Sequence, residues 1–309
     1  MTESDRPRIA VLPAGRRSFV VDAVEAGGAQ VVEVATAEAL VWTDEADGAG
    51  LASVLDGNGQ LRWVQLPWAG IEPLVQVVRS HADRVWTCGK GVYARPVAEH
   101  ALALVLAGLR GLDHYARERT WSGQRGRNLF GARVTVVGGG GIAEVLLRLL
   151  EPFGCDVTVV RRRPSPMAGA RAVVRVDEVD QALRGAQVVV VALPLVPETL
   201  GLIDRRRLGL LAEDACLVNV ARGAHVVTDD LVAALRDGSL GSAGLDVTDP
   251  EPLPEGHPLW DLPNAIITPH VGNTAAMAVP LLAARVTDNV RRWRAGEPLV
   301  GLVDPAAGY

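Results

Sequence analysis

The stretch RVTVVGGGGIAEVLLRLL, residues 133–150, decides the fold. A β-branched run enters four glycines, after which Val145, Leu146, Leu149 and Leu150 recur at helical spacing. Gly138, Gly140 and Ala143 therefore stand as G-x-G-x-x-A in strand, turn, helix order. In that order the first glycine permits a tight turn and the second lets backbone approach a pyrophosphate. The small third residue lets helix and strand pack closely while the helix N-terminus faces the anion. Glycines alone would fit a flexible surface loop; the flanking strand and helix point to a dinucleotide site.

Outward from this loop, short β-branched runs alternate with helix-length amphipathic segments, the pattern of parallel sheets with crossover helices. The first series of strand candidates covers 8–12, 30–34, 39–42, 63–67 and 84–88. The second covers 133–137, 157–160, 188–193, 216–220, 243–247 and 265–268, and its six strands fit one complete doubly wound dinucleotide domain. Between the series, Val97 to Tyr115 reads as one long connecting helix with Pro96 in its first turn, where a missing N–H costs nothing. Ala275 to Ala295 reads as another helix, able to return the chain to the first domain. The class is α/β: two doubly wound parallel-sheet, Rossmann-like domains, one (1–94 with 276–309) split around the other (95–275).

The strand 157–160 ends in Arg161-Arg162-Arg163 rather than in the acidic residue that would bind the ribose 2'-OH of NAD. Guanidinium groups bind a 2'-phosphate bidentately, so Arg161 and Arg162 favour NADP(H), with NAD(H) possible; a solvated basic turn is the alternative.

Composition narrows the function further. A formal charge of -5 over 309 residues leaves no basic face for nucleic acid. No window approaches a membrane span and the opening MTESDRPR lacks a secretory pattern, so a cytoplasmic location with no membrane partner is expected. Cys88, Cys155 and Cys216 fall in no metal-type spacing and read as buried, inert thiols; no metal is expected.

Three further segments follow strand candidates, where open α/β sheets place ligands: Asn219 to Gly223, Asp246 to Pro252, and Thr268 to Gly272. With these strings the sequence resembles the D-isomer-specific 2-hydroxyacid dehydrogenases. The resemblance covers nearly the whole chain: VAEH (97–100), Trp121, Leu129-Phe130-Gly131, LPLVPETLGLID, VNVARG, GLDVTDPEPLP and LPNAIITPHVGNT. The order, with 29 residues from Arg222 to Glu251 and 19 from Glu251 to His270, makes it specific.

The chemistry explains these residue types. Hydride reaching a 2-oxo carbon leaves negative charge on the carbonyl oxygen, so a proton donor and a cation belong there. His270 would donate the proton, Glu251 would hold the imidazole, and Arg222 would bind substrate carboxylate and keto oxygen. Each alone would be ordinary: a structural histidine, an exposed loop acid, a paired arginine.

The resemblance implies more. The split domain would be flavodoxin-like and bind substrate, with Trp68 and Tyr93 lining the pocket and the N–H groups of Ala69 and Gly70 on the carboxylate. The cofactor would be held by Gly138, Gly140, Gly141, Ile142, Arg161, Arg162, Leu193, Pro194, Thr199, Val220, Ala221 and Gly272, with Asp246 on the nicotinamide carboxamide. Two positions depart from the family: Val196 replaces a hydroxyl or amide, and Gly141 a basic residue. His225 and His257 read as structural. The resemblance implies a homodimer built on 97–118, acting on a small 2-oxo acid such as glyoxylate or hydroxypyruvate. The other readings are a phosphoglycerate dehydrogenase, usually longer at its C-terminus, a formate dehydrogenase, which would carry an amide at 251, and a nicotinamide-sensing corepressor scaffold, which would carry long flanks.

Overall fold

The computed structural model describes residues 6–15 and 17–309. Residues 1–5, read above for a leader, and Arg16 lie outside the described residues. Two compact units are present, Met1–Tyr93 with Thr274–Tyr309, and Ala94–Asn273.

The first unit contains β1 (Arg8–Leu12), β2 (Gln30–Val31), β3 (Ala39–Trp42), β4 (Trp63–Gln65) and β5 (Val85–Thr87) in a parallel sheet of order β2-β1-β3-β4-β5. That is the flavodoxin-like winding, and both faces are covered, as a parallel sheet requires. One face packs Leu40, Leu51, Leu55, Val64 and Trp86; the other packs Ile9, Val20, Val24, Val41 and Trp63 against Leu282, Val286 and Val290 of the helix Ala275–Ala295. Polar groups inside this core are paired rather than stranded. Trp63 Nε1 donates to Thr87 Oγ1, Thr87 donates to Gln65 Oε1, and Asn289 Nδ2 donates to the same oxygen, each at 2.8 Å.

The second unit contains β6 (Arg133–Val137), β7 (Asp156–Val160), β8 (Ala172–Val174), β9 (Val188–Val191), β10 (Cys216–Asn219), β11 (Ser242–Leu245) and β12 (Ala265–Ile267), in the order β12-β11-β10-β9-β6-β7-β8. Counted within the unit, this is the 3-2-1-4-5-6 dinucleotide order with one more strand at the edge. The register sets the site. Ile267, Leu245, Asn219, Val191, Val137, Val160 and Val174 pair in one row across the sheet, so every following loop leaves from one carboxyl edge.

Three expectations need correction. The sheet has seven strands rather than six, because the half-buried Ala172–Val174 is too short to stand out. The segment 30–34 is a strand only at Gln30–Val31, after which Val34–Thr36 turns as a 3-10 helix. The connecting helix runs Ala94–Leu109 and stops; Gly111 takes φ +62° before a short helix Leu112–Tyr115. Glycine adopts that left-handed conformation without a Cβ penalty, and so ends the helix.

Cys88 and Cys216 are buried, whereas Cys155 is only half-buried. Burial pushes all three thiols up, Cys216 to about 11. At pH 8 an ordinary thiol is about one-quarter thiolate, and one at 11 about one-thousandth. Iodoacetamide should therefore alkylate the folded protein slowly, first at Cys155, and rapidly at all three sites in urea. Rapid labelling of Cys216 without denaturant would contradict this.

Candidate active site

The turn after β6 is dictated by crowding. Gly138 has φ +122°, and a Cβ there would run into the carbonyl of Ala192 on the chain leaving β9. Only glycine fits. Gly140, in contrast, faces open space, with no atom within 4 Å of where its Cβ would be, and it caps the helix Gly141–Leu150. The first N–H groups of that helix have no intrahelical acceptor and the dipole there is positive. Ala143 is fully buried beneath the turn. This cradle fits a pyrophosphate.

Arg161 follows β7 in the same row and crosses the loop: a Cβ on Gly139 would come within 2.7 Å of Arg161 Cδ. Arg162 and Arg163 are exposed beside it. Among the other expected cofactor residues, Val220 and Ala221 are buried, Leu193 is half-buried and Pro194 is exposed. Thr199 spends its hydroxyl on its own loop, bonded to Pro194 O at 3.1 Å and accepting from Val196 N at 2.9 Å.

Arg222 is held by its neighbours' backbone contacts. Asn219, 1% exposed, accepts from Ala221 N at 3.0 Å and donates from Nδ2 to Arg222 O at 2.9 Å. The buried His225 accepts from Arg222 N at 3.2 Å and reaches Pro194 O through Nε2 at 3.3 Å. That histidine, read as structural, fastens the arginine loop to the loop after β9. A Cβ on Gly223 would collide with the carbonyl of Thr248, so the Arg222 loop lies directly against the chain leading to Glu251.

His270 Nδ1 lies 2.8 Å from Glu251 Oε1. An ionised carboxylate can only accept, so Nδ1 is the donor and Nε2 is the nitrogen left to exchange a proton. Both side chains are about half exposed, at 51% and 41%. The histidine backbone is strained, with φ +53°. It is kept there by bonds from His270 N to Asp246 O and Thr268 O, both 2.9 Å. The Asp246 carboxylate, 4% exposed, accepts from Val271 N (2.8 Å), Gly272 N (2.9 Å) and Thr268 Oγ1 (2.6 Å). Expected to face the nicotinamide, this side chain serves in the protein itself as the strut of the His270 turn.

In the first unit, Trp68 is half-buried, Ala69 exposed, Gly70 half-buried and Tyr93 buried. The Trp68 and Tyr93 rings stand 5.7 Å apart, and Tyr93 donates its hydroxyl to Pro67 O at 2.9 Å. Burial pushes that phenol up to about 12, so Tyr93 fastens the turn and stays neutral. The Arg17 guanidinium lies 4.4 Å from the centre of the Trp68 ring. Arg17 carries no signal in the sequence, and His100 and Thr268, although within the strings VAEH and Thr268 to Gly272, have no role assigned by spacing or chemistry.

Residues 101–272 match the family model described as "D-isomer specific 2-hydroxyacid dehydrogenase, NAD binding domain". An uncharacterised protein of Corynebacterium melassecola is 35% identical over 81% of this chain and 84% of its own length. A glyoxylate/hydroxypyruvate reductase A of Serratia proteamaculans is 31% identical over 88% of this chain and 87% of its own. Among solved structures, a D-isomer specific 2-hydroxyacid dehydrogenase from Xanthobacter autotrophicus Py2, in complex with NADPH and MES, superposes with a TM-score of 0.83 at 29% identity, covering 98% of this chain and 99% of that one.

Proposed function

The chain belongs to the D-isomer specific 2-hydroxyacid dehydrogenase family, and from that premise we propose that it reduces a small 2-oxo acid of the glyoxylate or hydroxypyruvate kind, with NADPH as the preferred reductant. The observation that carries the reading is the 2.8 Å pair between His270 Nδ1 and Glu251 Oε1, on the loop edge that also holds Arg222 and the glycine turn. When bound, the reduced nicotinamide supplies hydride to the 2-oxo carbon. His270 gives the Nε2 proton to the carbonyl oxygen as charge develops there. Glu251 accepts from Nδ1 and so leaves Nε2 as the nitrogen that carries and gives the proton. Arg222 offers a planar fork of donors to the substrate carboxylate and the keto oxygen. In the first unit, Ala69 and Gly70 offer backbone N–H groups for substrate, and Tyr93 keeps that turn in shape through Pro67.

Steady-state reduction of glyoxylate, hydroxypyruvate, pyruvate and oxaloacetate, each with NADPH and NADH, tests the proposal. Highest kcat/KM for glyoxylate or hydroxypyruvate supports it; no turnover of any 2-oxo acid removes it.

Cofactor choice is a separate expectation. Arg161 lies over the glycine loop, and two charge-assisted contacts to a 2'-phosphate are worth about 2–4 kcal/mol, a preference of about tenfold or more for NADPH. Arg161→Asp combined with Arg162→Ser should turn that preference toward NADH. Equal kcat/KM for the two cofactors in the unaltered enzyme would remove the arginines from this role.

We also expect a homodimer. The apolar side of the helix Ala94–Leu109 is spent on its own unit, where Ala98, Ala101, Leu104 and Val105 are buried. The exposed apolar groups instead follow it: Leu112, Trp121 and Phe130. A monomeric mass by light scattering at micromolar concentration would exclude the dimer.

A further inference from the structure

We propose that His100, on the connecting helix, is a positioning residue for the His270 turn, acting through Thr268 and Asp246. The inference rests on the reading of His270 as the proton donor. His100 Nε2 lies 2.9 Å from Thr268 Oγ1 and 3.4 Å from Asp246 Oδ1. The direction of the bonds follows from counting protons. Thr268 has one hydroxyl proton, and the 2.6 Å contact commits it to the Asp246 carboxylate, which can only accept. The Thr268 oxygen must then accept from His100, so Nε2 carries the proton in this arrangement.

The consequence is a continuous chain of donors: His100 N–H to Thr268 O–H to Asp246 carboxylate. From Asp246 it spreads over the whole turn, since residues 268, 270, 271 and 272 all bond to Asp246, through its side chain or its carbonyl. The His100 ring also backs the turn directly, its Cδ2 lying 3.5 Å from where a Cβ on Gly272 would be. His100 is itself well anchored, because its helix packs on the sheet through Ala98, Ala101, Leu104 and Val105. A left-handed histidine persists only where its surroundings over-determine it. Removing the outermost donor takes from the Thr268 oxygen the bond that it accepts and takes a nearby N–H from a buried carboxylate. The turn loosens, and with it the 2.8 Å contact to Glu251.

The test uses the full chain with His100→Phe, which keeps a ring and removes the N–H, and His100→Gln, whose amide N–H has a similar reach. Thr268→Val and the His100→Phe/Thr268→Val double variant complete the set, with His270→Ala as reference. With glyoxylate and NADPH, His100→Phe is expected to lose about 10–100-fold in kcat with KM changed less than about threefold, the effect of misplacing a catalytic group by a fraction of an ångström. His100→Gln is expected to recover most of the loss. Thr268→Val should lose a similar factor and the double variant no more than the larger single loss, because the two residues form one chain. A second readout needs no turnover. In ligand-free protein the His270 Nδ1–H proton resonance, identified by its loss in His270→Ala, should broaden into solvent exchange in His100→Phe and return in His100→Gln. An unchanged resonance in His100→Phe, additive losses, or a folded His100→Gln no better than His100→Phe would overturn the proposal. Should His100→Phe fail to fold, Thr268→Val with unchanged kcat and resonance would overturn it equally. Near-normal rates in His270→Ala would instead refute the proton-donor reading, whatever His100 does.

Discussion

Replacing His270 by alanine is expected to lower kcat for 2-oxo acid reduction by about 10²–10⁴, the range for losing a positioned general acid. Cofactor affinity, measured by NADPH fluorescence titration, should stay within about threefold, because the imidazole is bonded to Glu251 and the glycine turn lies on another strand. The fold should tolerate the change. The ring is half exposed, and the strained backbone is tied through main-chain bonds and Asp246 rather than through the imidazole. If anything, alanine at φ +53° adds a modest penalty, since it lacks the polar side chain that eases this conformation. A variant that still reduces glyoxylate at close to the normal rate would show that the proton comes from elsewhere.

The second large effect is expected at Arg222. Two charge-assisted hydrogen bonds to a substrate carboxylate and developing oxyanion are worth about 3–6 kcal/mol together, so Arg222→Ala should cost about 10²–10⁴ in kcat/KM, shared between kcat and KM. Arg222→Lys restores the charge but not the planar fork and should recover only part of the loss. Methylglyoxal, a carbonyl substrate without a carboxylate, provides the control. Its reduction, inherently poor, should be far less sensitive to Arg222→Ala than that of glyoxylate. Equal sensitivity would mean that the guanidinium does not read the carboxylate. Because the arginine backbone is anchored by Asn219 and His225, the variant should unfold near the normal temperature.

Much of this architecture can be read in the residues because buried parallel strands carry it. The run Val188–Val191 is continuous and apolar, as a strand covered on both faces must be, and the glycine turn marks where the winding reverses. Short or partly exposed elements carry no such mark: β8 is three half-buried residues, and the break at Gly111 depends on one dihedral angle. The same division runs through the site. Arg222, Glu251 and His270 stand out because loops after adjacent strands have characteristic strings, and the structure brings Glu251 onto His270. His100 and Thr268 are 168 residues apart, and nothing in their spacing foretells a 2.9 Å contact. Arg17 over Trp68 and His225 beneath Arg222 likewise depend on how loops fold onto one another. Such contacts exist only once the sheet has aligned its strand ends.

The division of the first unit into two stretches of chain also bears on how the protein is made. Its sheet is assembled from residues before Ala94, yet Leu282, Val286 and Val290, which cover the face formed by Ile9, Val20 and Val24, come after Asn273. On the ribosome the whole second unit must emerge in between. At about 5–20 residues per second that interval is on the order of ten seconds or more. For that time the nascent sheet presents Ile9, Val41 and Trp63 to solvent, and Gln65 lacks the amide of Asn289. The second unit, being continuous, can close as soon as it is released. The stretch before Ala94 is thus the part of the nascent chain with most need of a chaperone, and a chain truncated after Asn273 should fold its second unit while the first stays unfinished.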